Sequence, residues 1–341
     1  MDNLSLIEKL DQAVAALLAR SGTAVSPVDA PLDAEVTSLL SIAAELRELP
    51  RAEFRAQLKN NLERRASMTT QVKPETDPSS VSVNPVRAGF RTVTPYLTVP
   101  NVHEEIAFIK TVFAGEGQVY GLGSAGGFHS EVKIGDAMLM VGGGGEGSAW
   151  QGTPSPACLH VYVEDVDAVY ERAVQAGATA LHPPMDQEYG ERSAAFVDAG
   201  GNQWYPATAK GPHYILEGAQ DLMPYLHPRG AGRQIEFLQQ AFGAEEMLRH
   251  ASPEGFVYHA KLKIGSSIVE MSEAHDQWQP MPGTFMMYVD DVDAWYARAM
   301  QASGAVSMSE PADQPYGDRV GAVKDPFDNT WYIATHIKDS V

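Results

Sequence analysis

One pattern occurs twice in this chain, and no other feature limits its fold so strongly. Gln187-Glu188-Tyr189-Gly190-Glu191-Arg192, followed by Asp198-Ala199-Gly200-Gly201-Asn202-Gln203-Trp204-Tyr205, returns as Gln314-Pro315-Tyr316-Gly317-Asp318-Arg319 and Asp325-Pro326-Phe327-Asp328-Asn329-Thr330-Trp331-Tyr332. Upstream, Thr94-Pro95-Tyr96-Leu97 returns as Met223-Pro224-Tyr225-Leu226, and His129 through Gly135 returns as His259 through Gly265. Val161 through Ala168 returns as Met287 through Ala294. The offset stays between 126 and 130 residues, so each copy has domain size and insertions are confined to loops.

Within each copy the periodicity reads strand, helix, strand, strand, strand, and then the same again. In the first copy, strands are expected at 93–99, 118–122, 128–134, 137–141 and 158–163, and near 178–181, 193–198 and 203–208. Helices are expected at 103–114 and 166–176. The chain is therefore α+β, with four βαβββ modules in two tandem domains, 91–210 and 217–338. Ahead of them lies a small α-helical segment, 1–66. Its apolar residues Leu4, Ile7, Leu10, Val14 and Leu17 share one helix face, and two further helices start near Asp33 and Pro50. Residues 67–90, rich in Ser, Thr and Pro without period, read as a mobile linker. Gly142 to Gly147 reads as a flexible hairpin loop rather than a phosphate loop, since no Lys-Ser/Thr follows it.

Composition narrows the function classes. A net charge of −19 repels phosphate backbones, which argues against a nucleic-acid partner. No apolar run approaches membrane-spanning length. A single cysteine, Cys158, and a start without a basic, apolar leader fit a cytoplasmic protein. With two copies fused, a monomer or a homodimer is expected. No nucleophile elbow is present to support a hydrolase.

Paired βαβββ modules closing on Tyr-Gly-x-Arg and Asp-Pro-x-x-Asn-x-Trp resemble the vicinal oxygen chelate superfamily. Its members include glyoxalase I, bleomycin resistance proteins and extradiol dioxygenases. The ending Ile333-Ala334-Thr335-His336 looks most like its PhnB-like branch. The resemblance implies a cup-shaped pocket and, in the enzymes, a divalent metal (Zn, Ni, Mn or Fe) held by His, Gln or Glu on the first and last strands of modules. Carried over residue by residue, those positions hold Thr94, Cys158, Met223, Thr284, Tyr205, Tyr332, Met140 and Glu270. Only Glu270 is an ordinary ligand, with His259 and His227 as further candidates, so a complete metal site is not expected. The cups are expected to be lined by Tyr96, His129, Met140, His160, Trp204, Tyr225, His227, His259, Glu270 and Trp331, a lining that suits a small aromatic or apolar molecule. Arg192 and Arg319 are expected to brace turns through carboxylates or backbone. Three functions stay open. They are metal-free small-molecule binding, a metal-dependent lyase or dioxygenase, and an interaction protein that uses its N-terminal helices.

Overall fold

A computed structural model describes residues 83–122, 126–211, 218–276 and 278–339; the expected helical segment 1–66 and residues 67–82 of the linker lie outside these. Module one comprises β1 (Val93–Val99), α1 (Val102–Phe113), β2 (Glu116–Leu122), β3 (Phe128–Ile134) and β4 (Ala137–Gly143). Module two comprises β5 (Cys158–Tyr162), α2 (Val166–Gln175), β6 (Thr179–Asp186), β7 (Glu191–Val197) and β8 (Gln203–Ala209). Module three follows with β9 (Leu222–Leu226), α3 (Ala231–Phe242), β10 (Glu245–Ala251), β11 (Val257–Ile264) and β12 (Ser267–Met271). Module four closes with β13 (Thr284–Tyr288), α4 (Val292–Ala299), β14 (Val306–Asp313), β15 (Asp318–Lys324) and β16 (Thr330–His336). The four-module reading and the α+β class hold.

Helix starts follow from local chemistry. The Asn101 side chain accepts from the amides of His103 and Glu104, while Asp165 and Asp291 accept from Ala168 and Ala294. The N-cap of α3 is Gly230, which has no side chain to offer. The Glu273 carboxylate takes over, accepting from the amides of Gly230 and Ala231.

The sheets do not follow chain order. Among the described residues there are two eight-stranded sheets, with strand orders β14-β15-β16-β13-β1-β4-β3-β2 and β10-β11-β12-β9-β5-β8-β7-β6. Module one therefore joins module four through the antiparallel pair β1–β13, and module two joins module three through β5–β9. Each sheet takes four strands from each copy. The apolar cores divide the other way. One core gathers Leu97, Ile109, Leu139, Leu159, Phe196 and Trp204 from modules one and two. The other gathers Ile235, Phe242, Leu262, Phe285, Ile333 and Trp331 from modules three and four. Each copy thus owns a core, and each cup lies on a sheet shared by both copies.

The repeated Asp-x-x-x-Asn-x-Trp motif closes those cores. Asp198 accepts from the Asn202 amide and side chain, both at 2.9 Å, and from the Trp204 indole at 2.6 Å. Asp325 holds Asn329 and Trp331 in the same way. Asn202 and Asn329 in turn accept from Ala157 and Gly283, just ahead of β5 and β13. Arg192 reaches Asp167 and Asp186, and Arg319 reaches Asp293 and Asp313, so both brace their turns through carboxylates. The Gly142–Gly147 expectation needs correcting. Gly142 and Gly143 are the last residues of β4 and pair with β1 and β3, so the stretch does not begin as a loop.

Candidate functional site

The cup of modules two and three encloses a cavity of about 590 Å³. Its floor is set by strand register. His160 on β5 lies beside Tyr205 on β8, and Tyr225 on β9 lies beside Glu270 on β12. These four side chains meet at the centre of the sheet and line the cavity. The cup-facing residue of each opening strand therefore falls two positions after the one read from sequence. Cys158 gives way to His160 and Met223 to Tyr225. Both Cys158 and Met223 are buried, and they lie outside the cavity lining.

Glu270 is fully buried and bridges two cationic partners. His160 Nδ1 donates to Oε2 at 2.7 Å, and Lys261 Nζ lies 2.8 Å from Oε1, close enough for an ion pair though not aligned as a hydrogen bond. Lys261 also donates to the Tyr162 hydroxyl at 3.3 Å. Burial alone would push the Glu270 carboxyl up. The charge and hydrogen bond of His160 and the charge of Lys261 outweigh that and hold it well below the usual carboxylate range. For His160 burial works against the proton, but Glu270 and the nearby Glu191 raise it above the ordinary histidine value. At the floor, Glu270 and His160 thus each favour the charged form of the other.

The wall is aromatic. Ring centroids lie 5.4 Å apart for Tyr205 and Tyr225, 5.7 Å for Tyr205 and Trp278, and 4.9 Å for Tyr225 and His227. His227 stacks on Trp278 at 6.0 Å with planes 14° apart. One hydrogen-bonded chain orders these groups. Tyr205 donates to Gln203 Oε1 at 2.7 Å, so its oxygen accepts from His227 Nε2 at 3.2 Å, and His227 Nδ1 accepts from Ser272 at 3.0 Å. Burial, helped by the charge of His275, lowers His227 to about 4 and keeps it neutral near pH 7. His259, 3.3 Å from the Tyr225 hydroxyl, is likewise lowered to about 4, chiefly by burial.

Of the residues expected to line a cup, His160, Tyr225, His227, His259 and Glu270 come together here. Tyr96, His129 and Met140 belong to the other cup, where the Tyr96 hydroxyl lies 3.2 Å from His129 Nδ1 and Met140 packs in an apolar cluster. Trp204 and Trp331 line neither cup. Both are fully buried in the cores, because their indole nitrogens are tied to Asp198 and Asp325. The sequence reading missed Lys261, Ser272 and Trp278. Lys261 had a signal, since it lies two residues after His259 on the same strand face, but a lysine in a strand reads by default as solvated.

A divalent metal does not fit this donor set. Both oxygens of Glu270 are engaged, one by an ammonium that would repel a cation, and Tyr205 and Tyr225 hold the two remaining central positions. Among the described residues no three His, Cys, Asp or Glu side chains converge as a metal-holding group.

Comparison with known proteins agrees with this architecture. The model of the Glyoxalase/Bleomycin resistance protein/Dioxygenase superfamily matches residues 99–205 and 230–333, and the chain belongs to that superfamily. An uncharacterised Mycobacterium bovis protein, Mb0911c, is 33% identical over 129 residues, which is 35% of this chain and 84% of that protein. The provisionally named glyoxylase CFP32 of the same organism is 29% identical over 187 residues, 52% of this chain and 68% of CFP32. Glyoxalase I from Zea mays shares the fold, with a TM-score of 0.54 at 13% identity over 72% of this chain and 92% of that one. No helix among the described residues is long and apolar enough to cross a membrane.

Proposed function

We propose that the protein binds a flat aromatic molecule in the cup of modules two and three, without a divalent metal. The observation that carries this reading is an aromatic wall of Tyr205, Tyr225, His227 and Trp278 beside a cluster in which Glu270 is already ion-paired through both oxygens. A ring entering the cavity would stack on that wall, while polar atoms on its edge would meet hydrogen-bonding groups from Ser272, His259 and the floor. The ending Ile333-Ala334-Thr335-His336 supports a place in the PhnB-like branch. The name of CFP32 points instead to glyoxalase-type chemistry, for which this chain would need a metal.

A thermal-shift screen of planar aromatic compounds, followed by calorimetry on the best hit, tests the reading. The expected outcome is stoichiometric binding that chelators leave unchanged. Trp278→Ala and Tyr225→Ala should each weaken it by roughly tenfold, the size of about one aromatic contact. Binding or turnover that arises only after Ni, Zn, Mn or Fe is added would transfer the protein to the metal-dependent lyases or dioxygenases.

A further inference from the structure

The cup of modules one and four is filled by the chain itself. Its central positions, equivalent by register to Tyr225, Glu270, His160 and Tyr205, are Tyr96, Met140, Met286 and Tyr332. Phe90 shares one apolar cluster with Met140, Met286, Tyr288 and Val320, and Val86, Tyr96 and Tyr332 pack against that cluster. Between Val86 and Phe90, Arg87 reaches the flank of the cup. Its guanidinium donates to both oxygens of Glu131, at 2.6 and 3.2 Å, and to the Tyr288 hydroxyl at 3.3 Å, and it lies 4.8 Å from the centre of the Phe90 ring. The end of the expected mobile linker is therefore a seated segment.

Residues 84–90 add no strand to the sheet. A turn from Arg87 to Phe90 closes on its own 3.0 Å bond, with Gly89 at φ +84°, and His336 donates one backbone bond to Pro85. The remaining hold is by side chains, so the segment can leave while both eight-stranded sheets stay whole. Departure has one electrostatic cost. Glu131, 7% exposed, would lose the guanidinium that neutralises it, leaving His129 3.5 Å away as its remaining ion-pair partner. A molecule that replaces the segment must supply both the cation and the ring.

We propose that this cup is a second small-molecule site, closed by residues 84–90, which takes a ligand carrying a cationic group beside an aromatic ring. Arg87 and Phe90 act as an internal stand-in for that ligand. The site is separate from the open cup, and its test reads this cup alone.

Met140, 2% exposed beneath the segment, gives the reporter position. In a Met140→Cys protein the new thiol should react slowly with an aromatic disulfide reagent. Adding Arg87→Ala with Phe90→Ala should speed it by roughly tenfold or more, while Cys158, buried on the other sheet, stays slow. Benzamidine, an amidinium on an aromatic ring, should slow the reaction again. A milder variant, Glu131→Gln in the Met140→Cys background, should also speed labelling, and benzamidine should protect it much less. The proposal is overturned if labelling stays slow in both lid variants, if Cys158 accelerates in step with residue 140, or if benzamidine gives no protection with Glu131 intact.

Discussion

Glu105 and Gln234 occupy equivalent positions on α1 and α3, and both face the buried aspartate of the repeated motif. In the second copy the match is neutral, since the Gln234 amide donates to Asp325 at 2.9 Å. In the first copy two carboxyl groups meet. Burial first, then the charge of Asp198 and a hydrogen bond to it, push Glu105 well above the usual range, against a smaller pull from Asn202. A carboxyl with a raised folded pKa stabilises the fold fully below its unfolded value of about 4.5, and that stabilisation is lost as pH climbs through the folded value. Glu105→Gln copies the solution of the second copy and should raise Tm at pH 8 by roughly 3 °C for each kcal/mol recovered, with a smaller gain at pH 5. Calorimetric scans of both proteins at the two pH values check it; a gain that is larger at pH 5 would contradict a protonated Glu105. The equivalence of these positions follows from the repeat, but their burial against an aspartate does not, because a Glu on a helix reads as solvated.

Among the elements, β4 shows how far pattern reaches. Its first residues, Ala137 to Val141, form the short apolar run of a buried strand, but Gly142 and Gly143 conceal its end. Gly143 has φ +136°, and a Cβ there would strike the Val99 carbonyl across the parallel pair with β1. Gly142 in turn leaves room for the Tyr96 ring. Gly143→Ala should therefore destabilise the fold by about 3 kcal/mol or more, measured by denaturant unfolding, whereas a flexible loop would absorb the change. Strand and helix identities were legible because period 2 and period 3.6 differ sharply. Cup register was not, since a shift of two residues preserves alternation and so leaves Cys158 and His160 equally good candidates. The seated segment 84–90 was hidden for a different reason. Its hold comes from side-chain contacts with residues far along the chain, which composition does not record.

At the level of the whole molecule, the choice of module partners was also invisible in sequence. Four similar modules can pair within copies or across them, and the repeat offset is the same either way. The observed pairing makes a specific prediction. Residues 83–216 and 217–341, expressed apart, should each assemble around its own core and yet expose two half-sheets at β1 and β5 or at β9 and β13. Mixed together they should form a 1:1 complex that regains the stability of the intact chain, while each half alone should self-associate. Light scattering on the separate and mixed halves decides it, and two inert monomers that ignore each other would contradict the shared sheets.

Cores that follow the order of the gene, with cups that do not, carry an evolutionary consequence. In a symmetric dimer of single-copy chains, every mutation appears in both pockets at once, so the two cannot specialise. Fusing the copies removes that symmetry, and each pocket becomes a pairing of two different half-sites whose residues are inherited separately. Met140 opposite Glu270, and Glu131 opposite Lys261, are the visible results of that independence. One lineage of pockets could then be sealed while its sister stayed open, with neither copy losing the core on which it folds.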